Sequence, residues 1–422
     1  MPAKQRQKIH TEQPPARRNR KKQRQRTLGA ALFFGFTLLS GGLGFLVTAW
    51  YFADVILRVR HEGESYDLRV KGVTSDTVTV ERTSNTERRG LYGLDWNGGY
   101  ARVGEIVASD TKSVTRQLLQ TSQQLRAGQR VHWNVHTYDG NPEHGRGLSY
   151  TDVQVPGELG LFPAWHVPGK SSTWVIMVHG YKSNRAEGLR IMPLFVRLGL
   201  PMLDITYRND LDAPASPDKL YHLGSTEWRD LEAAVQYALA HGAEDLLLYG
   251  WSMGGNIVET FLRRSPFASH VRAVVLDAPV LNWSLVFAKQ AQNRHFPAFI
   301  TDIVERIMYL RAGINFHDQD HIASANQQKV PTLLFHGVDD SLIPVAGSDA
   351  FAQARPEVVT YQRVNGANHT QEWNVDAQAY EQALEVFLAQ HVHLEHYEIP
   401  EEVVETPPLK KNLVKKINRK KA

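Results

Sequence analysis

Cysteine is absent from all 422 residues. Disulfides, thiolate nucleophiles and cysteine-ligated zinc are therefore excluded, though the absence does not assign a compartment. No G-x-x-x-x-G-K-[ST] or G-x-G-x-x-G follows a strand-like run, and no His/Asp cluster has metal-ligand spacing. Neither a cofactor nor a metal is expected. Charge is missing from one long stretch, residues 27–53 (TLGAALFFGFTLLSGGLGFLVTAWYFA). At helical rise it spans about 40 Å, more than the ~30 Å hydrocarbon layer.

That stretch predicts a transmembrane signal anchor over residues 27–57. Trp50 and Tyr51 sit where an interfacial aromatic belt belongs. Seven Lys/Arg lie between Arg17 and Arg26, and the charges after Asp54 are sparser and mixed. The positive-inside rule then leaves the N-terminus cytoplasmic and the rest extracytoplasmic, in a single-pass arrangement. A cleaved signal peptide is the rival reading. Its apolar region runs only 7–15 residues and ends in a small-residue cleavage site, which is not clear here.

The net charge of +4 conceals an uneven distribution. Residues 1–26, read as a basic cytoplasmic arm, carry ten Lys/Arg against Glu12, and residues 410–421 carry seven and no acid. The remainder holds 31 basic and 43 acidic residues, a net of −12. A nucleic-acid reading would rest on the two tails, and no nucleic-acid partner is expected. Residues 393–422 read as a solvated tail, acidic then basic. Tethering to anionic lipid or wall polymer is a further option for its basic end.

Residues 58–150 predict a small β-rich module without internal repeat. Tyr66–Val70, Thr77–Val80, Ala101–Val107 and Arg130–Tyr138 read as strands, separated by the turn signals Asn97-Gly98-Gly99 and Asp139-Gly-Asn-Pro142. Gly90–Gly99 (GLYGLDWNGG) reads as a packed turn or a binding loop.

From Thr151 strands alternate with helices, as in a mostly parallel sheet covered on both faces. Leu246–Tyr249 is a buried-strand run followed at once by Gly250-Trp-Ser252-Met-Gly254, then by Ile257, Phe261 and Leu262 at helical spacing. The five-residue G-x-S-x-G pattern alone arises by chance in roughly one chain in seven of this length. Strand, sharp turn and helix around it expose the serine hydroxyl above the sheet. Ligands of open α/β sheets bind at the carboxyl ends of the strands, and Asp340 and His369 lie at two more such ends. A serine alcohol needs a base, and the base needs a carboxylate to orient it and stabilise its cation. Ser252, Asp340 and His369 stand in the required chain order. Asp339 and Asp277 remain alternative acids. Thr226 is placed to cap a helix over Thr226–His241. Residues 281–325 read either as a cap over the site, able to supply an acyl pocket, or as a crossover with one extra packed helix.

Residues 151–392 resemble a serine hydrolase of the α/β-hydrolase superfamily, similar to Bem46-like and prolyl-oligopeptidase-like bacterial hydrolases. The resemblance rests on His179-Gly180, Gly250-Trp-Ser252-Met-Gly254-Gly255, His336-Gly337-x-x-Asp340-x-x-Ile343-Pro344 and Gly366-x-x-His369. It implies the α/β-hydrolase fold and an oxyanion hole from the backbone amides of Met253 and Tyr181. The expected substrate is a small-molecule or lipid-like carboxylic ester. A peptidase of the prolyl-oligopeptidase type is the alternative, although the module is too short for a β-propeller. A non-catalytic binding protein on this fold is the third reading, and the complete set of motifs argues against it.

Overall fold

The computed structural model describes residues 44–61, 63 and 65–394. The basic arm, residues 27–43 of the anchor and the tail from residue 395 lie outside the described residues. Among the described residues no helix is long and apolar enough to cross a membrane. The described part of the expected anchor is helical over residues 44–57. One face buries Ala49, Ala53 and Leu57 in the same core as Ile257, Val258 and Phe261 of the helix Met253–Arg264. The opposite face exposes Leu46, Val47, Trp50 and Tyr51.

Six strands close a barrel in the order β1-β2-β5-β4-β3-β6. They are β1 (Leu68–Val73), β2 (Thr77–Glu81), β3 (Tyr92–Trp96), β4 (Gly99–Ser109), β5 (Ser113–Thr121) and β6 (Arg130–Asn134). Alternation places Val70, Val78, Val80, Leu94, Val103 and Val131 inside, and closure leaves no free edge. The Gly90–Gly99 segment contains strand β3, buried at every residue, rather than an open loop. Its glycines obscure the strand because one serves close packing: a Cβ on Gly90 would lie 1.9 Å from the Asn374 carbonyl of the neighbouring domain. Arg116 is buried in the barrel, where its guanidinium donates to the carbonyls of Thr86, Arg88, Gly90 and Gly104.

The second sheet has the order β14-β13-β12-β11-β9-β10-β8-β7. Its strands are β7 (Thr151–Gly157), β8 (Gly160–Val167), β9 (Thr173–Val178), β10 (Met202–Ile205), β11 (Asp245–Trp251), β12 (Val271–Asp277), β13 (Thr332–Gly337) and β14 (Val359–Val364). Strands β9 to β14 pair in parallel, whereas β7 and β8 form an antiparallel hairpin at one edge. The apolar runs are buried on both sides. Leu246 and Leu248 face one core and Leu247 and Tyr249 the other.

Local differences from the sequence reading have physical causes. Thr226 does not cap its helix, which runs Trp228–Ala240 from Glu227. The buried Glu227 carboxylate instead accepts the N–H groups of His222, Gly224 and Thr226, doing for the loop what a hydroxyl would have done for the helix. Between β12 and β13, helices Trp283–Asn293 and Phe299–Ala312 pack on each other and on helix 44–57, with Phe45 against Phe299 and Phe52 against Phe296 edge-on at 5.0 and 5.3 Å.

Candidate active site

Ser252 lies between strand β11 and the helix Met253–Arg264, with φ 51° and ψ −114°. This left-handed conformation is costly for a residue with a Cβ, and the neighbouring structure holds it. The Ser252 N–H donates to the Asp277 carbonyl at 2.9 Å, and its carbonyl accepts from Val280 and Gly255. The turn is too tight for side chains on either side. A Cβ at Gly254 would lie 2.0 Å from the Val178 carbonyl oxygen, and one at Gly250 would lie 2.6 Å from Gly254 backbone.

His369 Nε2 is 2.9 Å from Ser252 Oγ, and His369 Nδ1 is 2.7 Å from Asp340 Oδ2. The same carboxylate oxygen lies 3.3 Å from His336 Nε2, while Oδ1 accepts the N–H groups of Leu342 and Ile343 at 2.8 Å each. Burial works to raise the Asp340 carboxyl, but the charge of His369 and the hydrogen bonds from His336 and His369 outweigh it. The carboxyl is held well below the usual range. Burial alone would depress the His369 imidazole; Asp340 overcomes this and raises it above its ordinary value.

The structure separates the three candidate acids. Asp340 reaches His369. Asp339 is half-exposed and lies 3.6 Å from Arg88 of the barrel. Asp277 is fully buried, and its Oδ2 accepts the Tyr380 hydroxyl at 2.8 Å.

Met253 is the first residue of its helix, so its N–H has no acceptor within the helix. The Gly180–Tyr181 peptide is fixed from its carbonyl side. Gly180 C=O accepts the Tyr207 hydroxyl at 2.8 Å, and His179 Nδ1 approaches it at 2.9 Å. In a trans peptide the next N–H, that of Tyr181, points the opposite way. The loop also lies against Ser252, since a Cβ on Gly180 would be 3.2 Å from Ser252 Cβ.

The sequence reading names His179 only as part of a motif, and it misses the part that Glu187, Arg190 and Asp210 play around this loop. His179 Nδ1 meets a carbonyl and its Nε2 meets Asp210 Oδ2 at 2.8 Å. Both ring nitrogens face acceptors, so both carry protons and the ring is an imidazolium. Burial opposes that charge, but Asp210 raises the imidazole to about 8. Glu187, fully buried, accepts the Gly180 N–H and the Ser183 hydroxyl at 2.9 Å each. Arg190 sits 3.7 Å from Glu187 and donates to the Thr370 carbonyl and to Asn374. Asn374 in turn donates to the Leu91 and Val135 carbonyls of the barrel segment. In the sequence Asp210 reads as a polar loop residue and Glu187 as the start of a helix, because nothing local marks a charge as destined for burial.

Comparison with known proteins follows the two domains. Residues 69–134, the barrel, match a domain family of unknown function, DUF8805. Residues 220–394, which hold Ser252, Asp340 and His369, match the prolyl oligopeptidase family. The esterase Pf2001 of Pyrococcus furiosus superposes with a TM-score of 0.50 at 20% identity, covering 61% of this chain and 96% of that one. The catalytic domain is a serine hydrolase of the α/β-hydrolase type. Within this type the hydrolase domain is also similar to the uncharacterized protein YqkD of Bacillus subtilis. The two are 23% identical over 259 residues, covering 57% of this chain and 80% of YqkD. Those likenesses concern the hydrolase domain; the barrel in front of it is a separate module whose loop ends brace the segment carrying His369.

Proposed function

We propose that the protein is a membrane-anchored carboxylic ester hydrolase in which Ser252 is the nucleophile. The observation that carries this reading is the continuous relay from Ser252 Oγ through His369 to Asp340, at 2.9 and 2.7 Å, beside an oriented Gly180–Tyr181 peptide. His369 Nε2 takes the hydroxyl proton as Ser252 Oγ attacks the ester carbonyl. Asp340 keeps the Nδ1 proton in place and stabilises the imidazolium. The N–H groups of Met253 and Tyr181 receive the negative charge that develops on the carbonyl oxygen, each worth about 2.7–4 kcal/mol. Collapse expels the alkoxide with a proton from His369. Water, activated by the same base, then releases the acid from Ser252.

In this reading the anchor is the part of the uncharged stretch that precedes the helix 44–57, since that helix buries Ala49 and Ala53 against the domain. The hydrophobic face of residues 44–57 that is not packed on the domain, with Trp50 54% and Val47 61% exposed, suits an interfacial position. The hydrolase domain is then extracytoplasmic, and the charge bias around the anchor supports that orientation.

A serine peptidase is the second reading, favoured by the match of residues 220–394 to the prolyl oligopeptidase family. The front module is a six-stranded barrel instead of a propeller, which leans toward esters. Labelling of membranes with a fluorophosphonate probe tests the shared core: wild type should label and Ser252→Ala should not. Chromogenic esters against aminoacyl anilides then divide the two readings. Folded protein that shows no Ser252-dependent labelling would sink both.

A further inference from the structure

Beside the relay the structure buries two carboxyl groups together. Asp277 ends β12, Glu372 follows His369 by three residues, and both are fully buried. Asp277 Oδ2 accepts the Tyr380 hydroxyl at 2.8 Å, and Glu372 Oε1 accepts the Gly337 N–H at 2.6 Å. Their other oxygens, Asp277 Oδ1 and Glu372 Oε2, are buried and meet no donor among the described residues. Yet the two carboxyls stand within hydrogen-bond reach of each other. Two carboxylates cannot bond, because an ionised carboxylate only accepts. A carboxylic acid and a carboxylate can, since the acid supplies an O–H. One proton therefore gives both orphan oxygens a partner and removes the repulsion of two like charges.

The surroundings say which carboxyl carries it. Burial raises both, but the bond from Glu372, the charge of Arg190 and the Tyr380 hydroxyl favour the ionised form of Asp277. Glu372 is raised well above the usual range by burial and by the charges of Asp277 and Asp340. The proton thus resides on Glu372. The other ionisable groups around the pair are Glu187, held ionised, Tyr249 and Tyr361, kept protonated by burial, and His369 itself. Each end of the pair holds a loop of the site. The Asp277 carbonyl accepts the Ser252 N–H at 2.9 Å. Gly337, held by Glu372, accepts the Asp340 N–H at 3.3 Å through its carbonyl. A Cβ on Gly337 would lie 2.4 Å from the Ala367 carbonyl oxygen, so the strand end before Asp340 touches the loop before His369.

We propose that Asp277 and Glu372 share one proton, and that this acid–carboxylate bond positions the loops of Ser252, Asp340 and His369 relative to one another. The proposal rests on the serine-hydrolase reading of Ser252. Both carboxyls are positioning residues, acting through the backbone groups and loops they hold. Loss of the proton would leave two adjacent buried charges, with Arg190 as the cation beside them. The Glu372 pKa is raised on folding, so the stability it contributes is complete below the ordinary value of 4.5 and is lost as pH rises through the folded-state value.

The test compares full-length wild type in detergent with Glu372→Gln and Glu372→Ala. The amide keeps a carbonyl for Gly337 and an N–H donor for Asp277, and it has no proton to lose. Melting temperature from pH 5 to 9 should fall less steeply in Glu372→Gln than in wild type, since the variant takes up one proton fewer on folding. The rate at which a fluorophosphonate labels Ser252 reads the positioning without any choice of substrate. Glu372→Ala strands the Gly337 N–H and should lower that rate about a hundredfold, the scale of a misplacement of about 1 Å. Glu372→Gln should restore it. A glutamine variant with the wild-type pH slope, or one that labels as slowly as the alanine variant, overturns the proposal. So does an alanine variant that labels at the wild-type rate. Where the alanine variant fails to fold, slope and rate in the glutamine variant, each against wild type, decide the matter. Failure of the hydrolase reading has a different signature: Ser252 labels in no folded form, while the pH slope still reports the proton.

Discussion

Arg190 donates through Nη1 to the Thr370 carbonyl at 2.6 Å, one residue beyond His369. The same side chain lies beside Glu187, which holds the Gly180 N–H. One buried ion pair therefore joins the Gly180–Tyr181 loop to the loop of His369. A buried pair of this kind is weak evidence for stability in itself, but breaking it leaves a stranded charge.

Arg190→Ala should destabilise the domain by about 3–5 kcal/mol, the cost of removing one partner of a buried pair. Arg190→Lys keeps the charge and loses the forked geometry that serves Thr370 and Asn374 together. The lysine variant should fold and show a lowered kcat with little change in KM. Thermal melts alongside ester kinetics check both; a lysine variant with wild-type turnover would remove Arg190 from the positioning network.

The three carboxylates separate cleanly. Asp340→Asn removes the acceptor that fixes the His369 tautomer and should cut kcat by about four orders of magnitude. Asp339→Asn disturbs only a surface contact with Arg88 and should stay near wild type. Asp277→Asn alters the bond to Tyr380 and should show first in the melting temperature. Equal losses of turnover in all three variants would sink the assignment of Asp340.

The pH profile follows from His369. Neutral imidazole is the form that accepts the Ser252 proton, so kcat/KM should rise with pH through the His369 pKa. Asp340 holds that pKa above the ordinary value of 6.5. In Asp340→Asn the favourable charge is gone, and the acidic limb of the residual activity should move to lower pH. A limb that stays in place would show that another group controls the rise.

His179 gives a stability signal with the opposite trend. Its folded-state pKa is raised from 6.5 to about 8 by Asp210 against the cost of burial. The proton is thus bound more tightly in the folded protein, a contribution of about 2 kcal/mol. That contribution is complete below pH 6.5 and is lost as pH rises through about 8. Melting temperature measured from pH 6 to 9 should fall across this window in wild type and be flatter in Asp210→Asn. Turnover in Asp210→Asn should also drop, because the Gly180 carbonyl loses a charged donor. An unchanged melting profile in the variant would mean that the His179 charge does not matter.

Much of the catalytic relay is legible in the order of residues. Ser252 and Asp340 follow apolar runs that only a buried strand satisfies, His369 follows the part-exposed edge strand β14, and the ends of these parallel strands converge on one edge of a sheet. The module in front was legible as β-structure through alternation in β1 and β2, yet β3 was hidden. From Tyr92 to Trp96 every residue is buried, so the two-residue polar rhythm that announces a half-exposed strand is missing.

The chain's own pattern determines the G-x-S-x-G turn, the spacing of the relay and the uncharged stretch, because local sterics and hydrophobic periodicity act over a few neighbouring residues. Only tertiary structure decides between Asp339 and Asp340, since both follow the same strand and one rotation of the turn separates burial from solvent. It also decides that Glu187, Arg190 and Asp210 brace the loops, because burial joins groups far apart in sequence, His179 with Asp210 and Arg190 with the Thr370 carbonyl. The end of the uncharged stretch is the sharpest case. Its apolar residues read as facing lipid on all sides, while in the fold Ala49, Ala53 and Leu57 face the hydrolase core. Hydrophobicity states that a surface must leave water, and only packing states what it meets instead.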